Sequence, residues 1–208
     1  MKFIKWLKSY WYYYKFHTLA ALFVLIVVGV LIYQGVTAVE PDLCVYWLTR
    51  DPVAFETETT SQLEKRIADY TGDLNGDGKV RVEVVTYLIG DEYKNNRRSE
   101  FVTEYVGGGI MLMICDDYAM RYLIDETYDG KNVAELTDAT SYDGRAWNMK
   151  GSSFADCDEL KYLNYDLYFT LRRFNDESWI RIIPGKTEEF ERAKAVLARI
   201  ISDSRAEG

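Results

Sequence analysis

One stretch limits what this chain can become more than any other. The sequence LAALFVLIVVGVLIYQGVTAV, running from Leu19 to Val39, contains no charged side chain, and only Gln34 and Thr37 in it are clearly polar. A helix rises about 1.5 Å per residue, so roughly 20 apolar residues match the hydrocarbon thickness of a bilayer. Lys2, Lys5, Lys8 and Lys15 precede the run without any acidic residue, and Glu40 and Asp42 are the first charges after it. Basic residues stay on the cytoplasmic side of a membrane. The expected layout is therefore a cytoplasmic basic and aromatic segment (1–17), a transmembrane helix (18–39) and an extracytoplasmic domain (40–208). The protein is expected in the cell membrane as a single-pass chain. The run YWYYYKFH, Tyr10 to His17, suits an aromatic belt at headgroup depth. The short residues Val36, Thr37 and Ala38 also offer a cleavage site, so a removed signal peptide is the competing reading. Bulky aromatics ahead of a long apolar core favour a retained anchor, and either reading exports the remainder.

Charge narrows the partners of that remainder. Of 25 Lys and Arg and 33 Asp and Glu, only four lysines precede residue 40. The outer part thus holds 21 basic against 33 acidic side chains, a net of −12. Such a domain is a poor candidate for nucleic acid or for lying flat on anionic lipid, and cations or simple solubility suit it better. The three cysteines, Cys44, Cys115 and Cys157, form an odd set without metal-site spacing, and apolar neighbours mark them as buried free thiols.

The order of elements is legible from period and punctuation. LCVYWLT (43–49) reads as a first strand, and TETTSQLEKRIADYTG as a helix with Leu63, Ile67 and Tyr70 on one face, stopped by Gly72. VRVEVVTYLI alternates as a half-buried strand does. KNNRRSEFVTEYV reads as a helix closed by Gly107, Gly108 and Gly109, and IMLMIC as a strand covered on both faces. DDYAMRYLIDETY follows as a helix, with Asp116 or Asp117 as its N-cap. The alternation predicts an α/β domain, a three-layer, mostly parallel sheet. LYFTLRRF and SWIRII, on either side of NDE, are expected to add an antiparallel hairpin. The segment 129–154 is turn-rich and has no assignment. The last helix is TEEFERAKAVLARIISD, with Thr187 as N-cap and a core stripe of Phe190, Ala193, Val196, Leu197, Ile200 and Ile201. On this order Cys44 opens one strand and Cys115 ends its parallel neighbour, too far apart to bridge.

Three places carry candidate chemistry. In DLNGDGKV, Asp73, Asn75 and Asp77 hold positions 1, 3 and 5 of a calcium loop, Gly78 position 6 and the Lys79 carbonyl position 7. Position 12, which should be a closing acid, is Val84, and Glu83 stands one place early. The segment resembles the first half of the calcium loops of EF-hand and dockerin proteins, which implies a structural calcium held by Asp73, Asn75, Asp77, Lys79 and Glu83. Asp91 or Glu92 are alternative closing acids. The competing view makes Asn75-Gly76 and Asp77-Gly78 plain turn pairs. The acids of CDDY, Asp116 and Asp117, end a parallel strand, where α/β sites are built, but helix capping explains them equally. The glycines of VGGGI follow a helix instead of preceding one, which excludes a phosphate loop. His17 is the single histidine, so histidine-based nucleophile systems and imidazole zinc sites are excluded from 40–208.

Taken together, the exported anchor, LCVYWLT, the DLNGDGKVRVEV entry to a second strand, and GGGIMLMICDD resemble one lobe of bacterial extracellular solute-binding proteins. The resemblance spans some 80 residues. Those proteins bind between two lobes and 169 residues supply little more than one, so it implies a fold and transfers no ligand residues. The expected function is a membrane-anchored, non-catalytic α/β module, binding or accessory to a membrane-protein partner. The alternatives are a divalent-metal enzyme using Asp116 and Asp117, and an interaction domain with exposed aromatics.

Overall fold

The computed structural model describes residues 2–37, 41–52, 57–90, 97–126, 133–136, 139, 141–156, 160, 163, 166–174 and 178–206. Two compact units divide the chain, Met1–Glu40 and Pro41–Gly208. The first is one helix, α1 (Lys2–Thr37), whose window Tyr10–Tyr33 is long and apolar enough to cross a membrane and is wholly unburied. Its aromatics pair along the helix, Tyr10 stacking on Tyr14 at 5.3 Å. Such a helix lacks the polar face that a surface helix of a globular protein needs.

The second unit is mixed α/β. Its elements are β1 (Leu43–Thr49), α2 (Thr57–Thr71), β2 (Val82–Leu88), α3 (Arg97–Gly107), β3 (Leu112–Asp116), α4 (Asp117–Arg121), β4 (Trp147–Asn148), β5 (Leu167–Leu171) and α5 (Lys186–Ala206). The sheet order is β2-β1-β3-β5-β4. β1 runs parallel to β2, Leu43 facing Val82, and parallel to β3, Val45 facing Leu112. β5 lies antiparallel between β3 and β4.

Alternation along β1 explains the packing, because successive side chains leave a strand on opposite faces. Val45 and Trp47 join a cluster with Leu63 and Ile67 of α2 and Phe190, Ala193, Val196, Leu197, Ile200 and Ile201 of α5. Tyr46 and Leu48 join a second cluster with Phe101 and Tyr105 of α3 and Met120 of α4. The apolar stripe expected on the last helix is buried at all six positions. Leu48 faces Cys115 across β1 and β3, so Cys44 lies four residues further down the strand, and both thiols are free.

Three expectations are corrected. SWIRII is no strand: Trp179–Ile182 is a 3₁₀ turn, and β5 pairs instead with β3 and with two-residue β4, from the segment left unassigned. The 3₁₀ spacing seats Ile180 in the core while Trp179 and Ile182 stay outside. The helix after β3 ends as regular α-helix at Arg121 and continues as a π turn, Tyr122–Glu126. Finally, α5 is already helical at Lys186, so Thr187 sits in its first turn and does not cap it.

Gly108 holds the turn between α3 and β3 with φ +81°, and a Cβ there would lie 2.8 Å from Ile180 Cγ2. Gly107, beside it, has open space and an ordinary backbone. Gly108→Ala is expected to lower stability by about 1–3 kcal/mol and Gly107→Ala to leave it nearly unchanged. Urea unfolding of the full chain in detergent micelles, followed by near-UV circular dichroism, measures both; equal midpoints would remove this account of the turn.

Candidate functional site

Two groups of carboxylates sit at opposite ends of the parallel strands. At the amino ends, the turn ahead of β2 is laced by its own side chains. Asp73 Oδ1 accepts from Gly76 N at 2.7 Å and Asp73 Oδ2 from Gly78 N at 2.9 Å. Asn75 Oδ1 accepts from Asp77 N, and Asp77 Oδ1 from Lys79 N. Gly76 and Gly78 adopt φ of +78° and +79°, the left-handed backbone that makes this lacing possible. Asp73, Asn75, Asp77 and Lys79 are therefore gathered in one exposed turn. Glu83 stands apart from those links, exposed on β2 and level with Cys44. Val84, at the twelfth position, donates its N–H to Glu64 Oε1 at 3.0 Å. Asp91 and Glu92 lie outside the described residues. Among the described residues no three His, Cys, Asp or Glu side chains form a metal-holding group.

The turn rests on a residue that sequence reasoning treated only as a flanking charge. Asp42 is buried and accepts from Leu74 N (2.7 Å), Asn75 N (2.9 Å) and Arg81 N (2.8 Å). Its own N–H donates to the Arg81 carbonyl at 2.8 Å. Burial pushes its carboxyl up, but the N–H groups of Arg81, Asn75 and Leu74, with the nearby Arg192 charge, outweigh that and hold it below the usual aspartate range. The available signal was its position, one residue before a strand, where an acid can reach backward onto the neighbouring loop.

At the carboxyl ends, Asp116 is the N-cap of α4, accepting from Ala119 N at 2.7 Å. Its other oxygen accepts from Thr49 Oγ1 at 2.8 Å and Arg50 N at 2.7 Å. Asp117 follows in the first turn, paired with Arg121 at 2.9 Å and accepting from the Tyr142 hydroxyl. Tyr142, Asp143 and Gly144 have φ of 51°, 56° and 78°, three successive left-handed residues in the loop that Ser141 and Ala146 close. Arg50, Asp51, Pro52, Asp116, Asp117, Tyr118 and Arg121 line a shallow hollow of about 590 Å³. A more enclosed hollow of about 430 Å³ lies between residues 133–136, the end of β5 and α5, with Leu136, Phe174 and Leu197 in its wall and Arg145, Arg173 and Lys194 around it.

Neither described thiol is poised for attack. Burial, then Glu83, pushes Cys44 up to about 11, and burial pushes Cys115 well above the ordinary thiol range, so both stay protonated. Cys157 lies outside the described residues. No protein-family model matches the chain, and no curated protein and no solved structure matches it.

Because the folded state holds Asp42 below the ordinary value, its contribution is complete above about pH 4 and is lost as pH falls through the lowered folded value. Asp42→Asn turns an amide N–H₂ or a single acceptor toward donors that need a carboxylate. It is expected to cost about 2–3 kcal/mol at neutral pH and to flatten the stability curve between pH 5 and pH 2. Thermal unfolding across that range checks this; parallel curves for the two proteins would remove Asp42 from its assigned role.

Proposed function

We propose that this chain is a single-pass membrane protein whose residues 40–208 form an extracytoplasmic, three-layer α/β module without catalysis, binding for or accessory to a membrane-protein partner. The observation that carries the reading is the pairing of a strongly apolar, wholly unburied helical window, Tyr10–Tyr33, with a separate compact unit that has its own cores. A bilayer is the solvent that such a helix needs. The four lysines ahead of the uncharged run from Leu19, and the acids after it, support this orientation. Absence of catalysis is supported by how the acids are used: Asp116 accepts three hydrogen bonds, and Asp117 is held by Arg121 and Tyr142. A protease added to intact cells is expected to digest an epitope at the carboxyl terminus while sparing one at the amino terminus. The reverse pattern would overturn the orientation, and release of the chain by alkaline carbonate would overturn the anchor.

Calcium belongs to this reading as a structural ion at residues 73–79. The observation in its favour is the lacing itself, which holds the oxygens of Asp73, Asn75 and Asp77 around one turn before any ion arrives. Millimolar calcium is expected to raise the melting temperature of the full chain, and Asp73→Ala with Asp77→Ala to abolish the gain. Equal melting in calcium and in chelator would remove the ion from the account.

A further inference from the structure

Among the described residues of the second unit, four large apolar side chains are exposed: Val80, Val106, Trp179 and Ile182. All four lie at the same end of the sheet. β1, β2 and β3 are parallel, so their amino ends share one edge. Val80 stands two residues before β2, and Val106 is in the last turn of α3, which delivers the chain to β3. Trp179 and Ile182 flank Ile180, whose side chain rests on Gly108 between α3 and β3. Residues three apart in a 3₁₀ turn eclipse one another, so Trp179 and Ile182 share a side, and Ile182 is 82% exposed.

The chain enters the unit at that same edge. β1 begins at Leu43, and α1 ends at Thr37. The intervening residues reach at most roughly 20 Å at 3.3–3.6 Å each. On the reading that α1 is a membrane anchor, this reach bounds how far the start of β1 can stand from the bilayer. We propose that this end docks on the bilayer that α1 spans, with Trp179 and Ile182 entering the interfacial region. An indole prefers that depth, since its body is apolar and its N–H is wet. Exposed Lys79, Arg81 and Arg181 stand at the same end among the exposed carboxylates Asp73, Asp77 and Glu83, so docking rests on the apolar side chains and not on charge. The short tether gives the bilayer a high effective concentration, so a two-residue insertion is enough without a large interface.

The test uses the full chain in nanodiscs whose lipids are brominated near the headgroup end of the acyl chains. Trp47 and Trp147 are buried, so difference spectra against Trp11→Phe and Trp179→Phe isolate one belt indole and the docking indole. Both are expected to be quenched at least twofold relative to unbrominated nanodiscs, and Ile182→Asp is expected to return Trp179 to its unquenched intensity. Trp11 quenched with Trp179 unquenched would overturn docking alone. Trp11 unquenched would overturn the anchor and docking with it. Trp179 unquenched by bromine yet shielded from acrylamide would assign the face to a protein partner or a second copy instead.

Discussion

Asp42 accepts from the backbone N–H groups of Leu74, Asn75 and Arg81 while its own N–H donates to the Arg81 carbonyl. This four-bond clasp joins the residue before β1 to the residues before β2. With Asp42 fixed on Arg81, Leu43 must face Val82, and the parallel register follows. That register sends Val45 and Trp47 to one core and Tyr46 and Leu48 to the other. A slip of one residue would exchange the two sets, so the clasp acts on both cores at once.

A second aspartate does for the far end of β1 what Asp42 does for the near end. Asp116 ends β3, yet two of its three donors, Thr49 Oγ1 and Arg50 N, belong to β1 and its exit, and the third starts α4. β1 is thus held at both ends by buried carboxylates that receive backbone N–H groups, an arrangement worth more per bond than neutral pairing. Carboxylates committed in this way are poor general bases, because abstracting a proton means surrendering bonds that the fold uses. The non-catalytic reading stands on this economy of donors.

Local pattern carried most of the fold into view and misled where two structures share one pattern. β1 coincides with the run read from LCVYWLT, because aromatic and β-branched residues buried on both faces leave few alternatives. SWIRII reads as strand because it is short, rich in aromatic and β-branched residues and follows LYFTLRRF across NDE, but the same residues form a 3₁₀ turn with Ile180 inward and Trp179 and Ile182 outward. The outer neighbour of β5 was illegible: Trp147 and Asn148 give two residues to pair, too few for any periodicity. Asp42 escaped for another reason. Its partners are backbone groups more than thirty residues away, and N–H donors leave no residue type in the sequence to find.

The two ends of the sheet divide the surface chemistry of the unit. Ligand sites of α/β sheets form beyond the carboxyl ends of the strands, and here that end bears Arg50, Tyr118, Arg121 and the Tyr142–Asp117 pair around a shallow hollow. The amino end carries the clasp, the laced turn, the four exposed apolar side chains and the entry of the chain. Parallel strands make this separation unavoidable, since every loop that leads into them collects at one edge and every loop that leaves collects at the other. The entry of the chain and the charged and aromatic groups around the hollow thus fall at opposite ends of the unit. An antiparallel sheet would have mixed the two sets of loops and spread both functions over both ends.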